Sequence, residues 1–213
     1  MDQLRITEIF YSLQGEGRFA GCPSVFIRLT GCPLRCKYCD TAYAFSGGER
    51  LALNQILSRV AEYAPEYVCV TGGEPLAQPA CNSLLSRLCD ADYRVSLETS
   101  GALDISQVDP RVCRVLDIKT PGSGEERRNL NSNLESLGSR DQLKFVICDQ
   151  ADYQWAKRRL AQDALASRCE VLFSPAYGQQ DPTELAEWIL RDRLPVRLQF
   201  QLHKLLWGEQ PGR

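Results

Sequence analysis

Gly31-Cys32-Pro33-Leu34-Arg35-Cys36-Lys37-Tyr38-Cys39-Asp40-Thr41 follows, one residue on, the β-branched run Ser24 to Leu29. Three cysteines in a CxxxCxxC spacing supply three soft sulfur donors at one point of the chain, a set that suits an iron–sulfur cluster or zinc better than a hard cation. Clusters are ordinarily held by four thiolates, so a trio leaves one metal position to a substrate or cofactor. The competing reading is an amphipathic helix face, because positions i, i+4 and i+7 coincide on a helix and buried cysteine packs like a small apolar residue. Gly31 and Pro33 are turn residues, and Arg35 and Lys37 place charge where a core helix needs apolar neighbours. Zinc stays open as the alternative metal, with Cys22 as a fourth sulfur, although its separation from Cys32 fits a zinc ribbon poorly.

Outward from this loop the chain alternates strand and helix. Runs rich in β-branched and aromatic residues predict strands at Ile6 to Tyr11, Ser24 to Leu29, Tyr67 to Thr71, Arg94 to Leu97, Arg114 to Lys119, Leu143 to Ile147, Glu170 to Phe173 and Val196 to Leu202. Leu53, Ile56, Leu57 and Val60 repeat with helical period, as do Cys81, Leu84, Leu85 and Leu88. A third helix is expected over Ala151 to Ala166. A fourth starts at Asp181-Pro182-Thr183-Glu184, which reads as an N-cap, a proline at the first helical position and a glutamate at the third. This alternation predicts an α/β fold with a parallel sheet, open or curled into part of a barrel. The segment from Thr120 to Arg140, rich in Gly, Ser, Asn and charge, is expected to be a solvated loop with room for a short helix.

Ligands of such sheets lie beyond the carboxyl ends of the strands. The cysteine loop, Gly72-Gly73-Glu74-Pro75, Glu98-Thr99-Ser100-Gly101, Asp117-Ile118-Lys119 and Ser174-Pro175-Ala176-Tyr177 all follow strands and are predicted to meet on one rim.

The chain has 213 residues, enough for a sizeable core, and one domain spanning 1–213 is expected. A formal net charge of -2 gives no electrostatic case for nucleic acid or a membrane surface. The N-terminal residues read neither as a secretory leader nor as a membrane span, so the expected location is the cytoplasm. Ten cysteines in a reducing compartment need a reason other than disulfides. Beyond the trio, Cys22, Cys69, Cys81, Cys89, Cys113, Cys148 and Cys169 mostly sit in apolar segments and read as packed thiols. The charge runs Glu125-Glu126-Arg127-Arg128 and Lys157-Arg158-Arg159 read as solvated faces.

The loop CPLRCKYC, followed in order by TGGEP at Thr71 to Pro75, resembles the radical S-adenosylmethionine superfamily. Glu8-Ile9-Phe10-Tyr11-Ser12-Leu13-Gln14-Gly15-Glu16-Gly17, Phe26-Ile27-Arg28-Leu29, Cys39-Asp40-Thr41 and Gln201-Leu202-His203-Lys204 together are similar to its 7-carboxy-7-deazaguanine synthase family, over nearly the whole chain. That resemblance implies a reduced, irregular partial (β/α) barrel, commonly homodimeric. It implies ring contraction of 6-carboxy-5,6,7,8-tetrahydropterin to 7-carboxy-7-deazaguanine with loss of ammonia, on the route to 7-deazapurines such as queuosine. A 5'-deoxyadenosyl radical is the expected hydrogen abstractor at C6, so no side chain is assigned that role.

By the same resemblance Cys32, Cys36 and Cys39 would ligate a 4Fe-4S cluster, and S-adenosylmethionine would be held by Tyr38, Cys39, Asp40, Gly73, Glu74, Asp117, Ile118, Lys119, Ser174 and Tyr177. Asp117-Ile118-Lys119 stands where some relatives carry Ser-Pro-Lys, so among these three only the lysine side chain transfers directly. The Thr41 hydroxyl would be a protein ligand to Mg2+, which favours oxygen donors and keeps several waters. Leu13, Gln14, Gly15, Arg28, Thr71 and His203 would contact the pterin. Expected partners are that small molecule and an electron donor such as flavodoxin. Two other functions fit parts of the pattern: a glycyl-radical-enzyme activase, which shares the cysteine spacing, and a structural zinc module that binds protein or nucleic acid.

Overall fold

A computed structural model describes residues 2–208, 210 and 212. Among them, in chain order, run β1 (Gln3–Leu13), β2 (Pro23–Leu29), β3 (Glu49–Ala52), α1 (Leu53–Ala61), β4 (Tyr67–Gly72), α2 (Cys81–Asp90), β5 (Arg94–Thr99) and β6 (Cys113–Ile118). Then follow β7 (Gln142–Ile147), α3 (Gln150–Gln162), β8 (Glu170–Pro175), α4 (Pro182–Asp192), β9 (Arg197–Leu198) and α5 (Leu202–Trp207). All the strands join one sheet in the order β3-β1-β2-β4-β5-β6-β7-β8-β9. From β2 onward every pairing is parallel, and β1 is antiparallel to both β2 and β3. The parallel strands β4 to β8 bury apolar residues on the helix-covered face, while Glu98 of β5, Asp117 of β6 and Lys144 of β7 line the cavity on the other.

The helices form where the apolar period predicts them. Leu53, Ile56 and Val60 of α1 and Cys81, Leu84, Leu85 and Leu88 of α2 are buried against the sheet. Each fully buried leucine contributes about 1.5–3 kcal/mol. The start of α4 is set by the Asp181 carboxylate, which accepts from the backbone N–H of Thr183 and Glu184, with Pro182 where no N–H is needed.

Three segments depart from the reading of the sequence. The Glu49–Ala52 strand was not predicted: it is a short edge strand with Glu49 and Arg50 exposed, the charged composition that discourages edge-to-edge pairing. The Thr120 to Arg140 segment is not simply solvated. It forms three short 3-10 turns and buries Ser123, Asn133, Leu134 and Leu137. Asn133 holds it down, donating to the carbonyls of Gly101 and Leu103 and accepting from the N–H of Ile105. It stands in place of a crossover helix between β6 and β7. Lastly, the predicted strand Val196 to Leu202 pairs only at Arg197–Leu198 and turns into α5 at Leu202. The chain leaves the sheet because the Gln199 side chain is drawn to the N–H of Gly17 at 2.6 Å and the Leu202 N–H to the carbonyl of Gly15. His203 therefore lies in the first turn of a helix, not in a strand. The chain end at Arg213 lies outside the described residues.

Those last contacts also report the curl of the sheet. The loop joining β1 to β2 reaches across to the far strands, where the Arg18 N–H meets Gln142 of β7 and Arg197 of β9 donates to the Gly17 carbonyl. The β1–β2 loop thus spans the concave face and floors a cavity.

Candidate active site

The loops after the parallel strands surround a cavity of about 450 Å³. After β2 the chain reverses at Gly31, which has φ near +99°, a conformation open mainly to glycine. Four contacts then fix the cysteine loop. The Gly31 N–H bonds the Ala44 carbonyl, the Gly31 carbonyl accepts from Glu74, the Lys37 N–H bonds Ser123, and the Arg35 N–H bonds the Glu125 carboxylate at 2.6 Å. Leu34 is buried as an anchor, while Cys32, Cys36 and Cys39 stay half-buried and line the cavity. The loop is irregular, so the shared-helix-face reading fails.

These residues fit a four-iron centre. The three thiols present soft donors on one wall, and no fourth cysteine is among the lining residues. Cys22 and Cys32 flank opposite ends of the seven-residue β2. At about 3.3 Å per residue that strand separates them by roughly 20 Å, which excludes a zinc site built from both. Among the described residues no three His, Cys, Asp or Glu side chains are grouped tightly enough for a single ion.

Gly72 and Gly73, read from sequence as room for a ligand, are required first by the protein itself. A Cβ on Gly72 would meet the Leu29 backbone at 2.3 Å, and one on Gly73 would meet the Gly31 carbonyl at 2.2 Å. The two loops therefore pack backbone to backbone, and Gly73 faces the cavity as well.

Charge is concentrated deeper in the site. Lys144 Nζ lies 2.7 Å from Glu16, 3.6 Å from Asp117 and 4.0 Å from Glu98, and Lys119 Nζ lies 3.1 Å from Asp117. Burial alone would raise Glu16, but the Lys144 ammonium more than offsets it and holds the carboxyl below its ordinary value. The same network holds Lys144 well above its ordinary value against burial. Burial pushes Glu98 up to about 7, since Lys144 is farther away and Glu16 repels. Asp117 Oδ1 and the Tyr38 hydroxyl are buried with no hydrogen-bond partner among the described residues. Both residues line the cavity, so polar atoms there await a ligand.

On the opposite wall the Arg28 guanidinium lies near the rings of Phe10 and Tyr43, at 5.9 and 5.8 Å from their centroids. Its Nε donates to Glu8 at 2.6 Å, and the Tyr43 hydroxyl donates to the same carboxylate oxygen. Nothing among the described residues bonds its two terminal nitrogens, which leaves a planar donor pair for an anion. Thr71 stands beside it in the next strand, in register with Arg28. Gln14 reaches toward Glu98, and burial lowers His203 below its ordinary value at the cavity's edge. Thr41 heads a short 3-10 turn with its hydroxyl 3.8 Å from the Cys39 sulfur. Asp40 beside it accepts from Gln201. These two oxygen side chains suit a hard cation.

Of the residues picked from sequence, the structure brings Leu13, Gln14, Arg28, Cys32, Cys36, Tyr38, Cys39, Asp40, Thr41, Thr71, Gly73, Asp117, Lys119, Ser174, Tyr177 and His203 to the cavity wall. Gly15, Glu74 and Ile118 are not on it. Gly15 lies beneath His203, so close that a Cβ would fall 2.2 Å from Nδ1. Ile118 is part of the apolar core. The fully buried Glu74 carboxylate is taken up by Thr99, Leu76 and both the N–H and hydroxyl of Ser100. Its place is a brace between two rim loops. Sequence reasoning missed Glu16 and Lys144 as site residues, and it placed Glu98 on the rim without giving it a role. Lys144 carried a usable sign, a lysine inside the otherwise apolar run of β7.

A parallel sheet whose first crossover loop offers three thiols to a rim cavity defines the radical S-adenosylmethionine class, and the Radical SAM superfamily pattern matches residues 26–117. The 7-carboxy-7-deazaguanine synthase of Chlorobaculum tepidum is 47% identical over 208 residues, covering 96% of this chain and 94% of that protein. The synthase of Koribacter versatilis is 40% identical over 219 residues, covering 96% and 97%. The crystal structure of QueE from Escherichia coli superposes with a TM-score of 0.77 at 25% identity, covering 94% of this chain and 95% of that one. This chain belongs to the 7-carboxy-7-deazaguanine synthase family. The expected α/β architecture, a reduced and irregular radical S-adenosylmethionine barrel, is thereby borne out, and neither the activase nor the zinc module survives.

Proposed function

We infer that this chain is a radical S-adenosylmethionine lyase that contracts 6-carboxy-5,6,7,8-tetrahydropterin to 7-carboxy-7-deazaguanine with release of ammonia, supplying the queuosine precursor. One observation carries the reading beyond family membership: a single cavity joins three soft thiols on one wall to an anion-seeking guanidinium on the other.

Cys32, Cys36 and Cys39 would hold the 4Fe-4S centre. Bound there, the cluster with S-adenosylmethionine supplies the hydrogen-abstracting radical. The chain's own residues select and orient. Arg28 would grip the 6-carboxylate in a two-pronged bond, its plane fixed by Glu8, Phe10 and Tyr43. Thr71 would add a hydroxyl to that carboxylate. Gln14 and the Leu13 backbone would meet the guanidine-like edge of the ring, with His203 at its margin and Gly15 serving beneath that ring as its seat. Thr41 would donate its hydroxyl oxygen to Mg2+. Tyr38, Gly73, Asp117, Lys119, Ser174 and Tyr177 would contact the cofactor, with the orphan oxygen of Asp117 as the acceptor best placed for its polar groups. Glu74 and Ile118 would serve through the backbone or by bracing.

The residues 1–213 read as one catalytic domain, in line with the single sheet. No helix among the described residues is long and apolar enough to cross a membrane. A homodimer, a flavodoxin-type donor and a cytoplasmic location, where thiols stay reduced, complete the proposal. The test is anaerobic turnover of the reconstituted chain with carboxytetrahydropterin. Deazaguanine product and ammonia in equal amounts are expected, and their absence from cluster-loaded protein would reject the assignment.

A further inference from the structure

Asp152 stands in the first turn of α3, away from the cavity wall, and is only 1% exposed. A buried carboxylate is costly unless it is paired or fully hydrogen-bonded. Among the described residues no cation pairs with this one. Three donors satisfy it instead: the Thr120 hydroxyl at 2.9 Å, the Gly122 N–H at 2.8 Å and the Cys148 N–H at 3.1 Å. The fit is close, since a Cβ on Gly122 would fall 2.4 Å from Asp152 Oδ2. Packing alone would be served by an apolar side chain. The carboxylate does something else: it gathers the segments that follow β6 and β7 onto one helix N-terminus.

The segment it holds after β6 carries the cysteine loop in turn. Thr120 and Ser123 are fully buried, and the Ser123 hydroxyl donates to the Thr120 carbonyl at 2.6 Å while accepting from the Glu125 N–H at 3.0 Å. From this segment the Ser123 carbonyl accepts the Lys37 N–H at 3.0 Å, and the Glu125 carboxylate accepts the Arg35 N–H at 2.6 Å. Cys36 lies between those two bonds. The Cys39 N–H then donates to the Cys36 carbonyl at 3.2 Å. Cys32 is held from the other side, where Gly31 packs on Gly73 and bonds Ala44 and Glu74. The three thiols therefore have two separate supports, and the outer one ends on Asp152.

We propose that Asp152 is a positioning residue for the metal centre: through Thr120, Gly122 and Ser123 it sets where Cys36 and Cys39 stand. It acts through backbone alone, at one remove from the thiols. Partners of this outer kind hold metal ligands in place, and their loss costs about 10- to 100-fold in metal affinity. The inference rests on the cluster reading above.

The test compares the full chain, loaded with iron and sulfide anaerobically, with Asp152→Ala, Asp152→Asn and Asp149→Ala. Asp149 is exposed and caps the same helix by accepting the Asp152 N–H at 2.9 Å, so its loss weakens α3 without removing a bond to the segment after β6. Asp149→Ala should lower the melting temperature by about 2–4 °C and still give up iron to a ferrous chelator at the rate of the unaltered chain. Asp152→Ala should give it up about tenfold faster, and its reduced centre should show an altered electron paramagnetic resonance spectrum. Asp152→Asn keeps an oxygen for Thr120 and loses one acceptor, so its iron should leave about threefold faster. Iron release from Asp152→Ala at the unaltered rate, or release from Asp149→Ala as fast as from Asp152→Ala, overturns the proposal. Should Asp152→Ala fail to fold, Asp152→Asn decides alone, a threefold gain in rate supporting the proposal and an unaltered rate overturning it. Iron and sulfide content of the unaltered chain reports separately on the cluster reading.

Discussion

Lys144 Nζ and Glu16 Oε2 are 2.7 Å apart across 128 positions of sequence. That contact ties the β1–β2 loop to β7 and so fixes the cavity floor. Both groups are buried, and removing one partner strands the other's charge at a cost of about 3–5 kcal/mol. Lys144→Met should therefore lose about 3 kcal/mol or more in urea unfolding, and Glu16→Gln/Lys144→Met should recover part of that. A single variant within about 1 kcal/mol of the unaltered chain would contradict the contact's role.

The pair also shapes the acid limb of stability. Glu16 titrates lower when folded, so its contribution is present above its unfolded value of 4.5 and vanishes as pH falls through the folded value. Lys144 titrates higher when folded, so its share is complete below 10.5 and is lost only as pH rises beyond that. Glu98 runs the other way. Its folded carboxyl, pushed up to about 7, keeps its proton while the unfolded chain has released it, so stability declines as pH climbs from 4.5 to 7. Glu98→Gln should then stabilise the chain at pH 8 by about 3 kcal/mol and leave it nearly unchanged at pH 4. Melting curves of both proteins at the two pH values decide it; a pH-independent difference contradicts the shift.

Arg28 supplies a test of substrate orientation. Losing a charged hydrogen bond costs about 1.5–3 kcal/mol, so Arg28→Gln should raise KM for carboxytetrahydropterin about 10- to 100-fold. A tetrahydropterin lacking the 6-carboxyl should bind both proteins equally, measured by calorimetry. Equal weakening for both ligands would show that Arg28 does not read the carboxylate.

Gly73→Ala should be far more damaging than its size suggests. The added methyl meets the carbonyl of Gly31, and backbone cannot swing aside as a side chain can. The cysteine loop must shift, and iron retained after anaerobic reconstitution should fall well below that of the unaltered chain. In Gly15→Ala the clash is with the His203 ring instead, so Gly15→Ala/His203→Ala should regain the iron content and stability of the unaltered chain. Full cluster content in Gly73→Ala would contradict the backbone packing of Gly73 on Gly31.

The parallel-strand layout was legible because β2, β4, β7 and β8 are compact runs rich in β-branched and aromatic residues with a polar loop after each, and most of the rim residues follow from that. The cysteine trio was legible from spacing. What escaped was long-range. Glu16 looks like part of a turn and Lys144 like an oddity in a strand until folding sets them together. Glu74 read as a ligand contact because it sits in the GGEP turn, yet Thr99 and Ser100 from the next loop claim its carboxylate. His203 moved from a strand to a helix because Gln199, drawn to Gly17, pulls the chain off the sheet edge, a force no local pattern records.

The central claim is that three thiols hold a cluster with one iron open to S-adenosylmethionine. Mössbauer spectroscopy of the anaerobically reconstituted, iron-57-labelled chain, with and without S-adenosylmethionine, addresses it directly. The account predicts a four-iron centre in which one iron site changes its isomer shift on adding the sulfonium compound, and loss of the centre in Cys32→Ala, Cys36→Ala and Cys39→Ala but not in Cys81→Ala. A centre indifferent to S-adenosylmethionine, or none assembled at all, would contradict it.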